Sequence, residues 1–257
     1  MILILGSGVI ATEISACFKS AGKDVVMTST SLSKLSANNI VGFDCRVDRL
    51  CDVIDSESID FIVNCAYSFS DNEINDAINN SLVNYRQSNK HVKCINISTM
   101  SAYAGARSQY GRAKYKQELF FESYSIPSVR IGLPYSNAPV GLIGVVKKLS
   151  KIFPVYAFAI STPGAYTFIT PMEELSSFLL NHHSNLKGVC SYVEPTPVDL
   201  VDLTRMCTDK KIICINWRFV IQVLRVFEFF KIKLRFSVDS IIGLVYSVKT
   251  PENNLYE

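Results

Sequence analysis

The sequence lacks several things that would each have pointed to a class of function. Its eight cysteines (17, 45, 51, 65, 94, 190, 207 and 214) include no CxxC pair. Zinc sites and redox motifs need such close spacing, so the cysteines read as reduced thiols of a cytoplasmic protein. A net charge of +3 with no basic stripe argues against a nucleic-acid polymer as partner. Of the three histidines, His182 and His183 are adjacent and cannot share a helix face, while His91 falls in a turn before a strand. They read as surface residues, and no metal site is expected. No internal repeat or low-complexity tract is present. A membrane span needs about 18 nearly uncharged residues. The most apolar late stretch, residues 215–247, is broken by Arg218, Arg225, Glu228, Lys231, Lys233 and Arg235. Met1 leads directly into "ILIL" and a glycine, so the start reads as a strand and not as a leader.

What is present is a globular composition, 48% hydrophobic and 19% charged over 257 residues, enough for one large domain with a sizeable core. The first half alternates short apolar runs with longer amphipathic ones. Residues 2–5, 24–28, 61–66, 93–98 and 128–132 read as strands, with helices beginning near Val9, Ser31, Asn72 and Tyr110. Continuous apolar strands separated by helices predict a parallel sheet covered on both faces, and right-handed crossovers make it a doubly wound, Rossmann-like α/β fold. After about residue 134 the pattern loosens, and Pro134, Pro139, Pro154, Pro163, Pro171, Pro195 and Pro197 punctuate shorter elements. The division expected is a dinucleotide-binding domain over 1–134, with later segments returning to the sheet, and a small C-terminal substrate-binding lobe over 135–257.

"ILILGSGVIATEI" places Gly6 and Gly8 directly after the first strand and Ala11 three residues on. A tight turn needs Gly6, and close approach of a pyrophosphate to the backbone needs Gly8. A small residue at 11 lets the helix pack on the sheet. The end of the second strand has Thr28, Ser29 and Thr30 where an NAD binder usually carries an acid for the ribose 2′-hydroxyl. With no acid to repel a 2′-phosphate, and Lys34 nearby, NADP is favoured over NAD.

"SQYGRAKYKQE" (108–118) sets Tyr110 four residues before Lys114. With 12 tyrosines and 16 lysines in the chain, chance alone gives about 0.7 such pairs, so spacing is weak evidence by itself. The pair gains weight from the ordered motifs around it, through which the chain resembles the extended short-chain dehydrogenase/reductases, the nucleotide-sugar epimerase, dehydratase and reductase group. Gly6-x-Gly8-x-x-Ala11 is similar to that family's phosphate turn, and "DCRVD" (44–48) to its adenine-contacting segment. "NCAYS" (64–68) resembles the strand end running past the cofactor, and "EIN" (73–75) the start of the next helix. "INISTMSAYAG" (95–105) is similar to the serine/threonine strand end, and "SVRIGLPYS" (128–136) to the sixth-strand exit. The likeness is strongest over 1–135.

The resemblance implies a catalytic set of Thr99, Tyr110 and Lys114. It implies cofactor contacts at Gly6, Ser7, Gly8, Val9, Ile10, Ala11, Thr28, Ser29, Asp44, Cys45, Cys65, Ala66, Tyr67, Asn75, Tyr110, Lys114 and Leu133, and substrate contacts at Tyr67, Ser101 and Tyr166. It also implies a homodimer through two central helices, one of them carrying Tyr110. The chemistry explains these residue types. Ketone reduction needs hydride on carbon and a proton on oxygen, and a phenol of pKa about 10 needs help to lose its proton near neutrality. An i,i+4 lysine shares its helix face. A unit charge at about 4 Å is worth up to about 4 kcal/mol at an effective dielectric of about 20, or roughly three pKa units. The Thr99 hydroxyl matches the donor to the substrate oxygen.

Three departures narrow the reading. Met100 and Ser101 stand where sugar 4,6-dehydratases usually carry Asp-Glu, which disfavours dehydration. Serine at 101 also disfavours chemistry beside the carbonyl that relies on a Cys and a His. Tyr166, in "GAYTFITPMEEL", stands where the family usually has an arginine for the nucleotide phosphate; Arg205, Arg218 or Arg235 are candidate replacements. What remains is an NADP-dependent reductase of a nucleotide-linked keto sugar, an NAD-dependent nucleotide-sugar epimerase, or a non-catalytic NADP-binding protein of the same fold. "RFSVDSIIGL" (235–244) is similar to a closing segment of family members from surface-polysaccharide gene clusters. The run from Trp217 to Phe230 has apolar residues at 219, 220, 223, 224, 227 and 230, a helical stripe expected to pack on the small lobe. The alternative is a basic amphipathic surface in weak peripheral contact with anionic lipid: five basic residues (218, 225, 231, 233 and 235) against Glu228 and Asp239 leave a local +3.

Overall fold

The computed structural model describes all residues except 31–38, 55–57, 70, 137–142, 145–146, 149–150, 152–154, 165, 231–236, 248–249 and 257. The first half runs β1 (Ile2–Leu5), α1 (Val9–Ser20), β2 (Val25–Ser29), β3 (Ile40–Gly42), α2 (Leu50–Val53), β4 (Phe61–Asn64), α3 (Asn72–Ser88), β5 (Lys93–Thr99), α4 (Gln109–Ser123) and β6 (Ser128–Ile131). Then come β7 (Leu133–Tyr135), β8 (Tyr156–Ser161), β9 (Ile169–Pro171), α5 (Met172–His182), β10 (Val189–Tyr192), α6 (Leu200–Cys207), β11 (Lys211–Asn216), α7 (Trp217–Phe229) and α8 (Val238–Val245).

Every residue of β1, β4 and β6 is buried, as expected of strands covered on both faces. They belong to a seven-stranded sheet of order β10-β6-β5-β4-β1-β2-β3, whose pairs β1–β2, β1–β4, β2–β3 and β4–β5 are parallel. The order reverses at β1, between β2 and β4, so the turn after β1 opens at the topological switch point where such sheets bind ligands. The doubly wound sheet expected from the sequence is therefore observed, with β3 and β10 as added strands. The helix expected near Ser31, and Lys34 with it, lie outside the described residues.

The chain divides into two compact units, one of 1–98, 117–129 and 172–190, the other of 99–116, 130–171 and 191–257. In the first, Leu3, Leu5, Ile62, Leu82, Cys94 and Phe121 belong to one apolar core. A buried polar row crosses three neighbouring strands: Asn64 Nδ2 donates to Asn96 Oδ1 (3.1 Å), and Asn96 Nδ2 to Ser128 Oγ (3.0 Å). His183, expected at the surface, is half-buried instead, its ring stacked on Phe61 at 4.4 Å and its Nδ1 within 3.1 Å of the Leu180 carbonyl at the end of α5. The second unit has two small parallel pairs, β8–β11 and β7–β9. Leu200 and Leu203 of α6 pack there with Ile143 and Ile169. Ile221 and Leu224 of α7 pack with Ile241 of α8.

The helical periodicity of 217–230 is real, but its packed face differs from expectation. Ile221 and Leu224 are buried, whereas Phe219, Val223 and Phe230 are exposed. The run is apolar on two sides, so spacing alone could not say which side packs. Among the described residues no helix is long and apolar enough to cross a membrane.

Candidate active site

The candidate cofactor-binding segments begin at the β1–α1 turn. Gly6 has φ +98°, and a Cβ there would lie 3.1 Å from Ala66 Cα and 3.2 Å from Ala66 N, so only glycine fits. Its N–H donates to Thr28 Oγ1 (3.0 Å), and Ser7 Oγ donates to Ser29 Oγ (2.9 Å). The hydroxyls that stand in place of an acid after β2 therefore brace the glycine turn. Gly8 precedes α1 and has no side-chain cap, the first turn holds no acid, and a Cβ at Gly8 would meet nothing within 4 Å. The first-turn N–H groups and the positive end of the helix are left to an anion. Ala11 is fully buried, Val9 is exposed and Ile10 is half-buried.

Two further segments carry expected cofactor contacts. Asp44 is held by Arg46, whose Nε donates to Oδ1 (2.9 Å) and Nη2 to Oδ2 (2.5 Å), and the guanidinium lowers the Asp44 carboxyl to a pKa of about 2. The Cys45 thiol points at the Ile74 carbonyl (3.7 Å), and burial pushes its pKa up. After β4, Cys65 N donates to Leu5 O (3.0 Å) and Ala66 N to Asn64 Oδ1 (3.2 Å). Asn75 holds this loop by both ends of its amide, accepting from Ser68 N (2.7 Å) and donating to Ser68 O (2.9 Å). The Tyr67 ring meets Phe69 edge-on at 5.1 Å. Asn75, expected to touch cofactor, thus shapes the loop that carries Cys65, Ala66 and Tyr67.

The candidate catalytic residues begin where β5 ends. Thr99 Oγ1 accepts from Ser101 N (3.3 Å), and Ser101 Oγ donates to Gly243 O (3.0 Å). The start of α4 is fully capped. Asp239 of α8 accepts from Gln109 N (2.6 Å) and Tyr110 N (3.0 Å), while the buried Ser108 accepts from Gly111 N (3.0 Å). Three amides that a helix start leaves unpaired are all satisfied. A Cβ on Gly111 would lie 2.3 Å from the Ser101 carbonyl oxygen and 2.8 Å from Ser108 Oγ, so glycine there lets α4 sit against the loop after β5. Tyr110 is half-buried, and Lys114, one turn further on, is only 3% exposed. A lysine so deeply buried places its charge near whatever shares its helix face. Leu133, in β7, is half-buried, and its N–H donates to Phe168 O (2.8 Å). Tyr166 is half exposed, and its carbonyl accepts from Ser247 Oγ (3.3 Å).

Sequence reasoning missed Ser108, Gly111 and Asp239. Ser108, three residues before Gly111, has the spacing of a helix cap and was readable as one. Glycine directly after the tyrosine was also visible. Nothing local connects Asp239 with a helix 130 residues away.

No family model matches the chain, and no curated protein matches its sequence. Solved structures do. A dTDP-glucose 4,6-dehydratase from Bacillus anthracis, in complex with NAD, superposes with a TM-score of 0.66 at 12% identity, over 95% of this chain and 94% of that one. A UDP-glucose 4-epimerase from Thermus thermophilus, in complex with NAD, does so with 0.62 at 15%, over 95% and 97%. A short-chain dehydrogenase/reductase superfamily protein from Agrobacterium tumefaciens, with bound NAD, does so with 0.61 at 13%, over 94% of each chain. This chain shares the fold of these three proteins. Within that fold the uncapped α1 start and the open space at Gly8 are suited to the pyrophosphate of a dinucleotide, with Gly6 fixing the turn beneath it. Among the described residues no cluster of His, Cys, Asp or Glu could hold a metal ion.

Proposed function

We propose that the chain is an NADP-dependent reductase of a nucleotide-linked keto sugar. The observation that carries the reading is the pairing of Tyr110 with a lysine buried to 3% exposure one turn along a fully capped helix. Burial of Lys114 costs desolvation energy that a solvated surface pair would not incur, so the arrangement reads as functional. A dinucleotide held through its pyrophosphate at the Gly6–Gly8 turn would supply the hydride from its reduced nicotinamide. Tyr110 donates its phenolic proton to the substrate oxygen, which becomes a hydroxyl, and the Lys114 ammonium stabilises the phenolate until solvent returns a proton. Thr99 donates a hydrogen bond to the same oxygen as negative charge develops there.

NADP is preferred because Thr28 and Ser29, which end β2, present no carboxylate to a 2′-phosphate. The reading extends to surface-polysaccharide synthesis in the cytoplasm, to the small lobe over 135–257 as the substrate side, and to a homodimer formed through α3 and α4. An NAD-dependent nucleotide-sugar epimerase is the second reading, favoured by the structural likeness to an epimerase solved with NAD. It uses the same tyrosine and lysine, first to take and then to return a proton.

One experiment separates these readings. Freshly purified protein is denatured and any released nucleotide identified, and empty protein is then titrated with NADPH and NADH alongside Tyr110→Phe. The reductase is expected empty, with preference for NADPH, and Tyr110→Phe is expected to bind cofactor as wild type does while losing at least 100-fold in turnover, about the contribution of a general acid. Stoichiometric NAD in the released fraction favours the epimerase, and near-normal turnover of Tyr110→Phe sinks both.

A further inference from the structure

Helix α7 carries two apolar faces, and only one of them is packed. Ile221 and Leu224 are buried, with Trp217 and Val220 half-buried beside them. On the opposite side Phe219, Val223, Val226 and Phe230 are 58%, 37%, 55% and 65% exposed, and Phe229 is 81% exposed. The first four are spaced by four, three and four residues, so they form one straight stripe along the helix. Single exposed apolar residues need no explanation, but an aligned stripe of them does.

Between the two faces runs a basic flank. Arg218 and Arg225 of α7, with Gln222 between them, line a cavity of about 410 Å³ together with Arg107, Trp217 and Tyr246. Arg107 lies over the Tyr246 ring at 4.2 Å and Arg218 over Trp217 at 5.6 Å. Among the described residues none of the three arginines has a carboxylate partner. Glu228, the acid on the same helix, accepts from Val238 N (2.9 Å). Three guanidinium groups, two of them over aromatic rings and none with a carboxylate partner among the described residues, make a receptor for phosphate oxygens. Beside that receptor lies the apolar stripe.

We infer that α7 docks on an anionic phospholipid surface. It lies in the plane of the interface with Phe219, Val223, Val226 and Phe230 among the acyl chains and a headgroup phosphate held by Arg107, Arg218 and Arg225. At 13 residues the helix is about 20 Å long, too short to span a bilayer but suited to lying on one. Charge decides against a second copy of the chain as the occupant. Antiparallel twofold pairing through this stripe brings Arg218 and Arg225 of both copies to the same side, two cations per helix against the one acid, Glu228. The inference is independent of the reaction proposed above.

The test is co-sedimentation of the full chain with vesicles of phosphatidylcholine and phosphatidylglycerol in equal parts, and with vesicles of phosphatidylcholine alone. Binding is expected to the first at low salt and not to the second, and added salt releases it. The double variant Arg218→Gln with Arg225→Gln weakens binding about 25-fold, from about fivefold per arginine. Phe219→Ser with Phe230→Ser weakens it by at least tenfold. All four sites are exposed, so both variants are expected to melt as wild type does. Failure of wild type to sediment with the anionic vesicles overturns the proposal, as does equal binding by the Phe219→Ser and Phe230→Ser double variant. Two other results also overturn it. A dimer that this variant dissolves, with no vesicle binding, makes the stripe a subunit contact. Binding of inorganic phosphate without vesicle binding makes the arginines a site for small anions in solution.

Discussion

Replacing Asp239 by alanine removes a carboxylate that α8 lends to the first turn of α4, where it accepts from the N–H groups of Gln109 (2.6 Å) and Tyr110 (3.0 Å). Loss of a side-chain cap costs about 1 kcal/mol. The lost charge at a helix start adds about 0.5 kcal/mol. Gln109 is exposed, so water takes up its amide, but Tyr110 is half-buried and recovers less, which adds about 0.5 kcal/mol more. The sum is about 2 kcal/mol, a fall in Tm of about 4–8 °C for a chain of this size. Tyr110 lies on the turn that loosens, so the same energy bounds the loss in kcat/KM at about 30-fold, with cofactor affinity unchanged. Asp239→Asn keeps an acceptor and is expected to lose about half as much. Asp199 is the control, because it caps α6 in the same way, accepting from Asp202 N (2.7 Å). Asp199→Ala should cost similar stability and leave turnover alone. Differential scanning calorimetry and steady-state kinetics on the three variants decide the matter. The reasoning fails if Asp239→Ala melts with wild type, or if Asp199→Ala loses as much turnover.

Other outcomes follow from the same structure. Gly111→Ala puts a methyl group 2.3 Å from a backbone carbonyl that cannot swing aside, so a loss of about 3 kcal/mol is expected by urea denaturation; wild-type stability would mean that α4 does not approach residue 101 as described. Burial pushes the Cys94 thiol up to about 12 and Cys190 up to about 11, whereas Cys51 and Cys214 are exposed, so a thiol reagent at mild pH should label the last two quickly and the first two only on unfolding. The folded chain keeps these two protons where the unfolded chain, at its ordinary value of 9.0, gives them up. Stability is therefore unaffected below about pH 9 and falls above it, by about 2 kcal/mol per thiol near pH 11. A urea midpoint that does not move between pH 8 and pH 10.5 would contradict the burial of these thiols.

The parts legible in the sequence are those whose cause is local. β1, its glycine turn and α1 could be read because a fully apolar run, a turn needing positive φ and a small packing residue follow one another within ten positions. β10 (Val189–Tyr192) escaped notice because four residues without periodicity carry little signal, and its place beside β6 is a long-range pairing. The same holds for β8 and β11, which pair across more than fifty residues. The candidate catalytic residues Thr99, Tyr110 and Lys114 were named from motif order, but what holds them was not visible there. Asp239, Ser101 and Gly243 meet through the folding back of the C-terminal segment. Thr28 and Ser29 show a subtler limit: the missing acid was visible, while the bracing of Gly6 and Ser7 by their hydroxyls emerges only in three dimensions.

The polar row of Asn64, Asn96 and Ser128 also constrains how the sheet can assemble. Asn64 and Asn96 are direct partners in the β4–β5 ladder, both with no exposed surface. Apolar strands offer little to choose between neighbouring alignments, because isoleucine and valine pack nearly as well one position along. A slip by one residue would turn each asparagine to the opposite face and strand buried amides without partners, at about 1–3 kcal/mol apiece. The row therefore acts as a key between three adjacent strands, rejecting every alignment but one. One member, Asn64, ends β4 where the residue 65–68 loop departs and accepts from Ala66 N, so a side chain that selects the register also fixes where that loop begins.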